Sequence, residues 1–212
     1  MSRRCVYVID DDSAVRRGVE RLLRAYGYSC RAFDSAKDFL TSVLNPCDVA
    51  CLVLDIRMPE MSGTELQALL RGTEHEVPIV FVTGHGDIPT CVKALKAGAV
   101  SFLTKPFDEA ALLSAVHEAL QQASDRAARR SIKQNVKQHF LLMSPREREV
   151  FHCVVRGLLN KQIAAELGIA EKTVKVHRAR VMSKMGAESV AELVRLSALL
   201  EAEEGPWEKH DA

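Results

Sequence analysis

Asp10, Asp11 and Asp12 stand in a row where the apolar run Val6 to Ile9 ends. Further on, Asp55 closes "CLVLD", Thr83 closes "PIVFVT", and Lys105 precedes Pro106 in "FLTKPF". Three adjacent carboxylates repel one another, so either a cation holds them or some of them cap a helix. A hard divalent cation such as Mg2+ suits the first role. It takes one or two carboxylates, a carbonyl and several waters in octahedral geometry. Asp55 then remains available as a nucleophile beside the metal. Its attack on a phosphoryl donor gives an aspartyl phosphate, with Mg2+ and Lys105 neutralising the charge of the moving group.

These residues are far apart in sequence, so their elements must bring them together. Candidate strands run over residues 5–9, 28–33, 49–54, 79–83 and 101–103. "CLVLD" and "PIVFVTG" are continuous apolar runs, as expected of strands covered on both faces. Amphipathic stretches lie between and after them, over residues 14–25, 35–43, 63–70, 88–97 and 109–120, and Gly27, Gly84 and Gly98 mark turns. Five such units predict an α/β domain with a doubly wound, five-stranded parallel sheet of flavodoxin-like order. Each candidate residue then lies beyond the carboxyl end of a strand, where such sheets place their sites.

From Asp108 to Met143 there is neither Gly nor Pro. Leu112, Leu113, Val116 and Leu120 form a core-facing stripe, and Ile132, Val136 and Phe140 then repeat at i+4. A long helix leaving the first domain as a linker is expected, with Ser124-Asp125 as the place for a break. Pro145 stops it. The expected organisation is a first domain at 1–122, a helical linker at 123–141, an all-α four-helix domain at 142–202 and an acidic tail at 203–212.

Charge is divided in the same way. The whole chain carries a net +1, but residues 1–128 carry −3, residues 129–200 carry +8 and the last twelve carry −4. The basic block points to a polyanion as partner of the second half alone. Six cysteines at irregular spacings offer no zinc-like array and read as free thiols of a reducing compartment. No apolar run approaches the roughly 20 residues of a membrane span, and no signal segment is evident. No membrane partner is expected, and a cytoplasmic location is.

The second half opens on "MSPREREV". Ser144 at the N-cap, Pro145 at N1 and Glu147 at N3 predict a capping box. Ile163, Ala164 and Leu167 line a short helix, Gly168 makes a turn, and residues 171–185 form the next helix, which is helix-turn-helix spacing. At 100° per residue, His177, Val181 and Met185 fall within about 60° of Val174 and face the core. Lys172, Val176, Ala179, Arg180 and Ser183 lie opposite, with Lys175 and Lys184 at the edges. A valine among cations suits thymine methyls in a major groove, and small Ala179 and Ser183 allow close approach.

"VIDDD", "VLDIRMPEMSG", "VTGHGD" and "FLTKPF" resemble the receiver domain of bacterial two-component response regulators. "MSPREREVFHCVVRGLLNKQIAAELGIAEKTVKVHRARVMSKMG" resembles the LuxR-type helix-turn-helix of the FixJ/NarL family. The first resemblance implies that Asp55 is the phosphoacceptor for a sensor histidine kinase. It implies that Asp11, Asp55 and the Arg57 backbone carbonyl hold Mg2+, for which Mn2+ can substitute, with Asp10 acting largely through a water. Thr83 and Phe102 become the switch pair, and Lys105 pairs with the phosphoryl group across a cis bond to Pro106. The second implies a recognition helix at 171–184 with Lys172, Thr173, Lys175, Val176, Arg180 and Lys184 as contacts. Asn160 and Lys161 would hold phosphate. Phosphorylation would favour a homodimer through a surface including Val92, Lys96 and Val100, on double-stranded promoter DNA beside RNA polymerase. Such a protein catalyses only its own phosphoryl transfer and dephosphorylation. "CLVLDIRMPEMSG" and "NKQIAAELGIAEKTVKVHR" look closest to regulators of aromatic-hydrocarbon catabolism, such as the styrene regulator.

Three other readings fit less well. A haloacid-dehalogenase-type phosphatase needs DxDx[TV] where this chain has "DDDSAV", and needs a cap insertion. An RNA-binding antiterminator does not account for Val176 on a groove-sized basic helix. A small autoinducer as signal leaves the acid, Thr and Lys set without a task.

Overall fold

The computed structural model describes residues 5–42, 50–73, 76–84 and 88–204, the last four by backbone alone. Residues 1–4, the expected element ends at Val43 and Val49, Cys47, the "HGD" of the fourth motif and residues 205–212 of the acidic tail lie outside the described residues.

Five parallel strands form one sheet: β1 (Cys5–Ile9), β2 (Ser29–Phe33), β3 (Ala50–Asp55), β4 (Ile79–Thr83) and β5 (Ser101–Thr104), in the order β2-β1-β3-β4-β5. Every residue of β1, β3 and β4 is buried, which is why these segments are apolar without alternation. The edge strands β2 and β5 are only partly covered. The order reverses between β1 and β3, whose register sets Ile9 beside Leu54. Asp10 and Asp55 therefore emerge side by side at the topological switch point.

Helices cover both faces. Tyr7, Ile9, Leu52, Leu54 and Phe81 pack against Phe39 of α2 (Ala36–Ser42), Leu66 and Leu70 of α3 (Gly63–Leu70) and Ala94 of α4 (Ile88–Lys96). On the other face Val6, Val8, Val53, Val80 and Val82 meet Val19 and Leu23 of α1 (Ser13–Ala25) and Leu112, Val116, Ala119 and Leu120 of α5 (Glu109–Leu141). Helix α5 is uninterrupted over 33 residues, so the break allowed at Ser124-Asp125 is not present. Nothing there interrupts the backbone ladder, since the segment lacks Gly and Pro.

The chain divides into two compact units, Met1–Ala128 and Arg129–Ala212. Past residue 122, Ala123 is in the core of the first unit, and Arg126 Nη1 lies 3.3 Å from Glu76 Oε1. The second unit holds the last turns of α5 with α6 (Pro145–Val155), α7 (Asn160–Leu167), α8 (Glu171–Met185) and α9 (Val190–Glu204). Its core gathers Phe140, Val150, Phe151, Ile163, Val174, Val181 and Leu193. Gly168, at φ +63°, closes α7 in the left-handed turn that leads into α8. No helix among the described residues is long and apolar enough to cross a membrane.

Candidate functional site

At the switch point one ammonium serves two carboxylates. Lys105 Nζ lies 2.6 Å from Asp10 Oδ2 and 2.8 Å from Asp55 Oδ2. The second oxygen of each acid accepts from backbone: Asp10 Oδ1 from Asp12 N–H at 2.9 Å, and Asp55 Oδ1 from Arg57 N–H at 3.2 Å. Asp10 and Asp55 are buried, while Asp11 is exposed beside them. Burial raises the Asp10 carboxyl above the usual carboxylate range, against the pull of the Lys105 hydrogen bond. Burial works to lower the Lys105 ammonium, but its bonds to Asp10 and Asp55 outweigh this and leave it raised.

One carboxylate oxygen each from Asp10, Asp11 and Asp55 lie within 4.8 Å of one another. Three carboxylates and a single ammonium leave a net −2 in the cluster. An all-oxygen donor set with that surplus fits a hard divalent cation. Asp12 is not part of the cluster. Its Oδ1 accepts from Ala14 N–H at 2.8 Å and Val15 N–H at 3.4 Å, so it caps α1. These bonds hold its carboxyl below the usual range.

Three features of the loop were not read from the sequence. Arg16, one turn into α1, donates from Nη1 to the carbonyls of Asp10 at 2.6 Å and Asp11 at 3.3 Å. Gly63 has no room for a side chain, since a Cβ would stand 2.2 Å from the Asp55 carbonyl oxygen. Ser62 and Glu65 form a capping box that starts α3 beside it.

Thr83 is buried at the end of β4, and its carbonyl accepts from Lys105 N–H at 2.8 Å. Phe102 pairs with Phe81 and is partly buried against that core face. The Lys105-Pro106 bond is cis. On α4, Val92 and Lys96 are exposed, while Val100 is half-buried. Exposed Ile88 and Leu95 extend that apolar face, a helical spacing that the sequence already contained.

In the second unit α8 buries Val174, Val181 and Met185 and exposes Lys172, Thr173, Lys175, Val176, Ala179, Arg180 and Ser183. Val176 is 46% exposed. His177 is half-buried, on the inner side. Asn160 and Lys161 begin α7, and Asn160 Oδ1 accepts from Arg178 Nη1 at 3.0 Å, which ties the two helices of the motif. Lys184 differs from its neighbours: its ammonium is held by Glu147 and by the Leu142 carbonyl.

Residues 6–117 match the family model described as response regulator receiver domain, and residues 141–197 the one described as bacterial regulatory proteins, luxR family. Response regulator protein TodT of Pseudomonas putida is 46% identical over 195 residues, covering 92% of this chain and 86% of that protein. The chain belongs to the response regulators. Within this family the transcriptional regulatory protein FixJ of Bradyrhizobium diazoefficiens is 42% identical over 192 residues, covering 91% of this chain and 93% of its own. Among solved structures, the response regulator StyR is 48% identical with a TM-score of 0.79, covering 92% of this chain and 98% of that one. Full-length FixJ from B. japonicum is 39% identical with a TM-score of 0.57, over 95% and 99%. This response regulator therefore joins a receiver to a LuxR-type DNA-binding domain and is homologous to FixJ and TodT.

Described cysteines carry no disulfide. Cys5, Cys30, Cys51 and Cys153 are buried and Cys91 is half-buried. Burial pushes the Cys30 thiol up to about 12, which makes it a poor nucleophile.

Proposed function

We propose that this response regulator is switched by phosphorylation of Asp55 and then binds promoter DNA through α8. The observation that carries the reading is the sharing of Lys105 between Asp10 and Asp55 with Asp11 alongside. Asp11, Asp55 and the Arg57 carbonyl would hold Mg2+ (or Mn2+), which supplies charge neutralisation for the transferred group, and Asp10 would act through a water.

A carboxylate oxygen of Asp55 attacks the phosphorus of a phosphohistidine on a sensor kinase. The P–O bond to Asp55 forms as the P–N bond breaks, and the histidine nitrogen leaves with the electron pair. Lys105 already stands 2.8 Å from Asp55 Oδ2 and follows the new negative charge onto the phosphoryl oxygens. The Thr83 hydroxyl donates to one of them. Thr83 and Lys105 are joined through backbone, so movement at the end of β4 reaches β5 and Phe102. A ligand shifts such an equilibrium only by contacting the two states differently, and Thr83 supplies that difference.

The changed surface around Val92, Lys96 and Val100 pairs two copies. The paired α8 helices read duplex half-sites in the cytoplasm and recruit RNA polymerase. Lys172, Thr173, Val176 and Arg180 face the groove, Lys175 at the edge of α8 contacts the duplex backbone, and Asn160 and Lys161 hold phosphate. The physiological setting in this reading is aromatic-hydrocarbon catabolism, on the likeness of the two motif stretches.

Intact-mass analysis after incubation with acetyl phosphate and Mg2+, on wild type and Asp55→Asn with EDTA controls, tests the reading. A single Mg2+-dependent adduct absent from the variant is expected. An adduct that persists in Asp55→Asn would place the acceptor elsewhere.

A further inference from the structure

One ammonium joins three helices in the DNA-binding unit. Lys184 Nζ, from the last turn of α8, lies 2.7 Å from Glu147 Oε2 in the first turn of α6. It also donates to the carbonyl of Leu142, just past the end of α5, at 2.9 Å. The Glu147 side chain is only 4% exposed, and its Oε2 also accepts from Ser144 N–H at 2.8 Å. The Lys184 hydrogen bond, before the others, holds the Glu147 carboxyl down to about 2.

Two general points decide what this arrangement does. A buried carboxylate stripped of its cation is strongly unfavourable. Lys184 therefore cannot swing to a DNA phosphate without abandoning Glu147. In addition, the last carbonyls of a helix have no partner within the helix. Two cations take them here: Lys184 at Leu142, and Arg148 Nη2 at Leu141 at 3.0 Å. By contrast, the Lys175 side chain is 64% exposed against 37% for Lys184, and its ion pair with Glu171 is longer, at 3.6 Å.

We infer that Lys184 is a positioning residue that locks the recognition helix to the start of α6 and the end of the linker helix, and that it makes no phosphate contact. This rests on the unit binding duplex DNA, and it changes which cations of α8 belong to the interface. The lock sets the pitch of α8 within its own unit, against the first turn of α6 and the residue that follows α5.

The test uses the full chain and a labelled random-sequence duplex over a range of salt concentrations. Each phosphate contact adds about 0.9 to the slope of log affinity against log salt. Lys184→Gln is expected to keep the wild-type slope and to lower the melting temperature of the second unit. Lys175→Gln is expected to lose about 0.9 of slope and keep the melting temperature. Glu147→Gln should melt early as well, and the double variant no earlier than the worse single one. Lys184→Arg, which keeps the cation, should restore the melting temperature. If Lys184→Gln does not fold, Lys184→Met with Glu147→Leu replaces the pair by apolar groups and should keep the wild-type slope. A slope loss on removing Lys184 equal to that of Lys175→Gln overturns the proposal, as do melting shifts that simply add. Wild type without salt-sensitive duplex binding would defeat the DNA reading instead, and the melting comparison needs no DNA.

Discussion

Lys105 Nζ lies 2.8 Å from Asp55 Oδ2, and the same nitrogen lies 2.6 Å from Asp10 Oδ2. In the proposed reading, the cation that would meet a phosphoryl group is already seated between Asp55 and Asp10. Lys105→Met should separate two roles of the site. Mg2+ should bind about tenfold more tightly, because it no longer competes with an ammonium for the same carboxylates. Phosphorylation by acetyl phosphate should slow by at least about tenfold, because a donor to the transferred group is gone. Calorimetric titration and intact-mass time courses read the two effects, and slower phosphorylation with weaker Mg2+ binding would contradict the competition.

Gly63 packs directly against the end of the strand that carries Asp55. A methyl group there meets the Asp55 carbonyl oxygen at 2.2 Å, which is backbone and cannot rotate away. Gly63→Ala should cost about 1–3 kcal/mol of receiver stability, the usual range for overpacking. Urea unfolding measures it. A variant as stable as wild type would mean that the β3–α3 loop yields without loss.

Acid should weaken the DNA-binding unit through Glu147. Its folded pKa, about 2, lies below the ordinary glutamate value of 4.5. The stabilisation is therefore fully present above pH 4.5 and is lost as the pH falls toward 2. Glu147→Gln should flatten the stability profile over that window. Thermal melts of both proteins between neutral and acid pH show whether the wild-type slope belongs to this residue.

The groove face of α8 predicts a division of labour. Lys175→Ala should weaken duplex binding at all sequences and reduce the salt slope by about 1, with Asp55 phosphorylation unchanged. Val176→Ser should leave the salt slope alone and reduce discrimination at thymine-bearing positions. Fluorescence anisotropy on operator variants tells these apart. A changed salt slope in Val176→Ser would remove the valine from base readout.

Much of the site was legible because chemistry and periodicity coincide at strand ends. Asp55, Thr83 and Lys105 each follow an apolar run, and a parallel sheet must bring such ends to one edge. Alternation of faces at 100° per residue likewise separated Val174, Val181 and Met185 from Lys172, Val176 and Arg180 on α8. These properties are local, or follow from a topological rule, and one chain is enough to read them.

Tertiary structure alone decided which of several like groups does which work. The sequence left Asp12 open as a helix cap or a member of the acidic row, and its oxygen faces the start of α1 while Asp10 faces Lys105. Arg16 looked like any helix cation until its guanidinium met the Asp10 and Asp11 carbonyls. Lys184 sat at the edge of the α8 polar face by angle and is exposed, but its ammonium is bound by Glu147, distant in sequence. The reason is common to all three. Charge type and helical phase are written along the chain, whereas the partner that a flexible charged side chain takes depends on which groups folding brings within hydrogen-bond reach and shields from water.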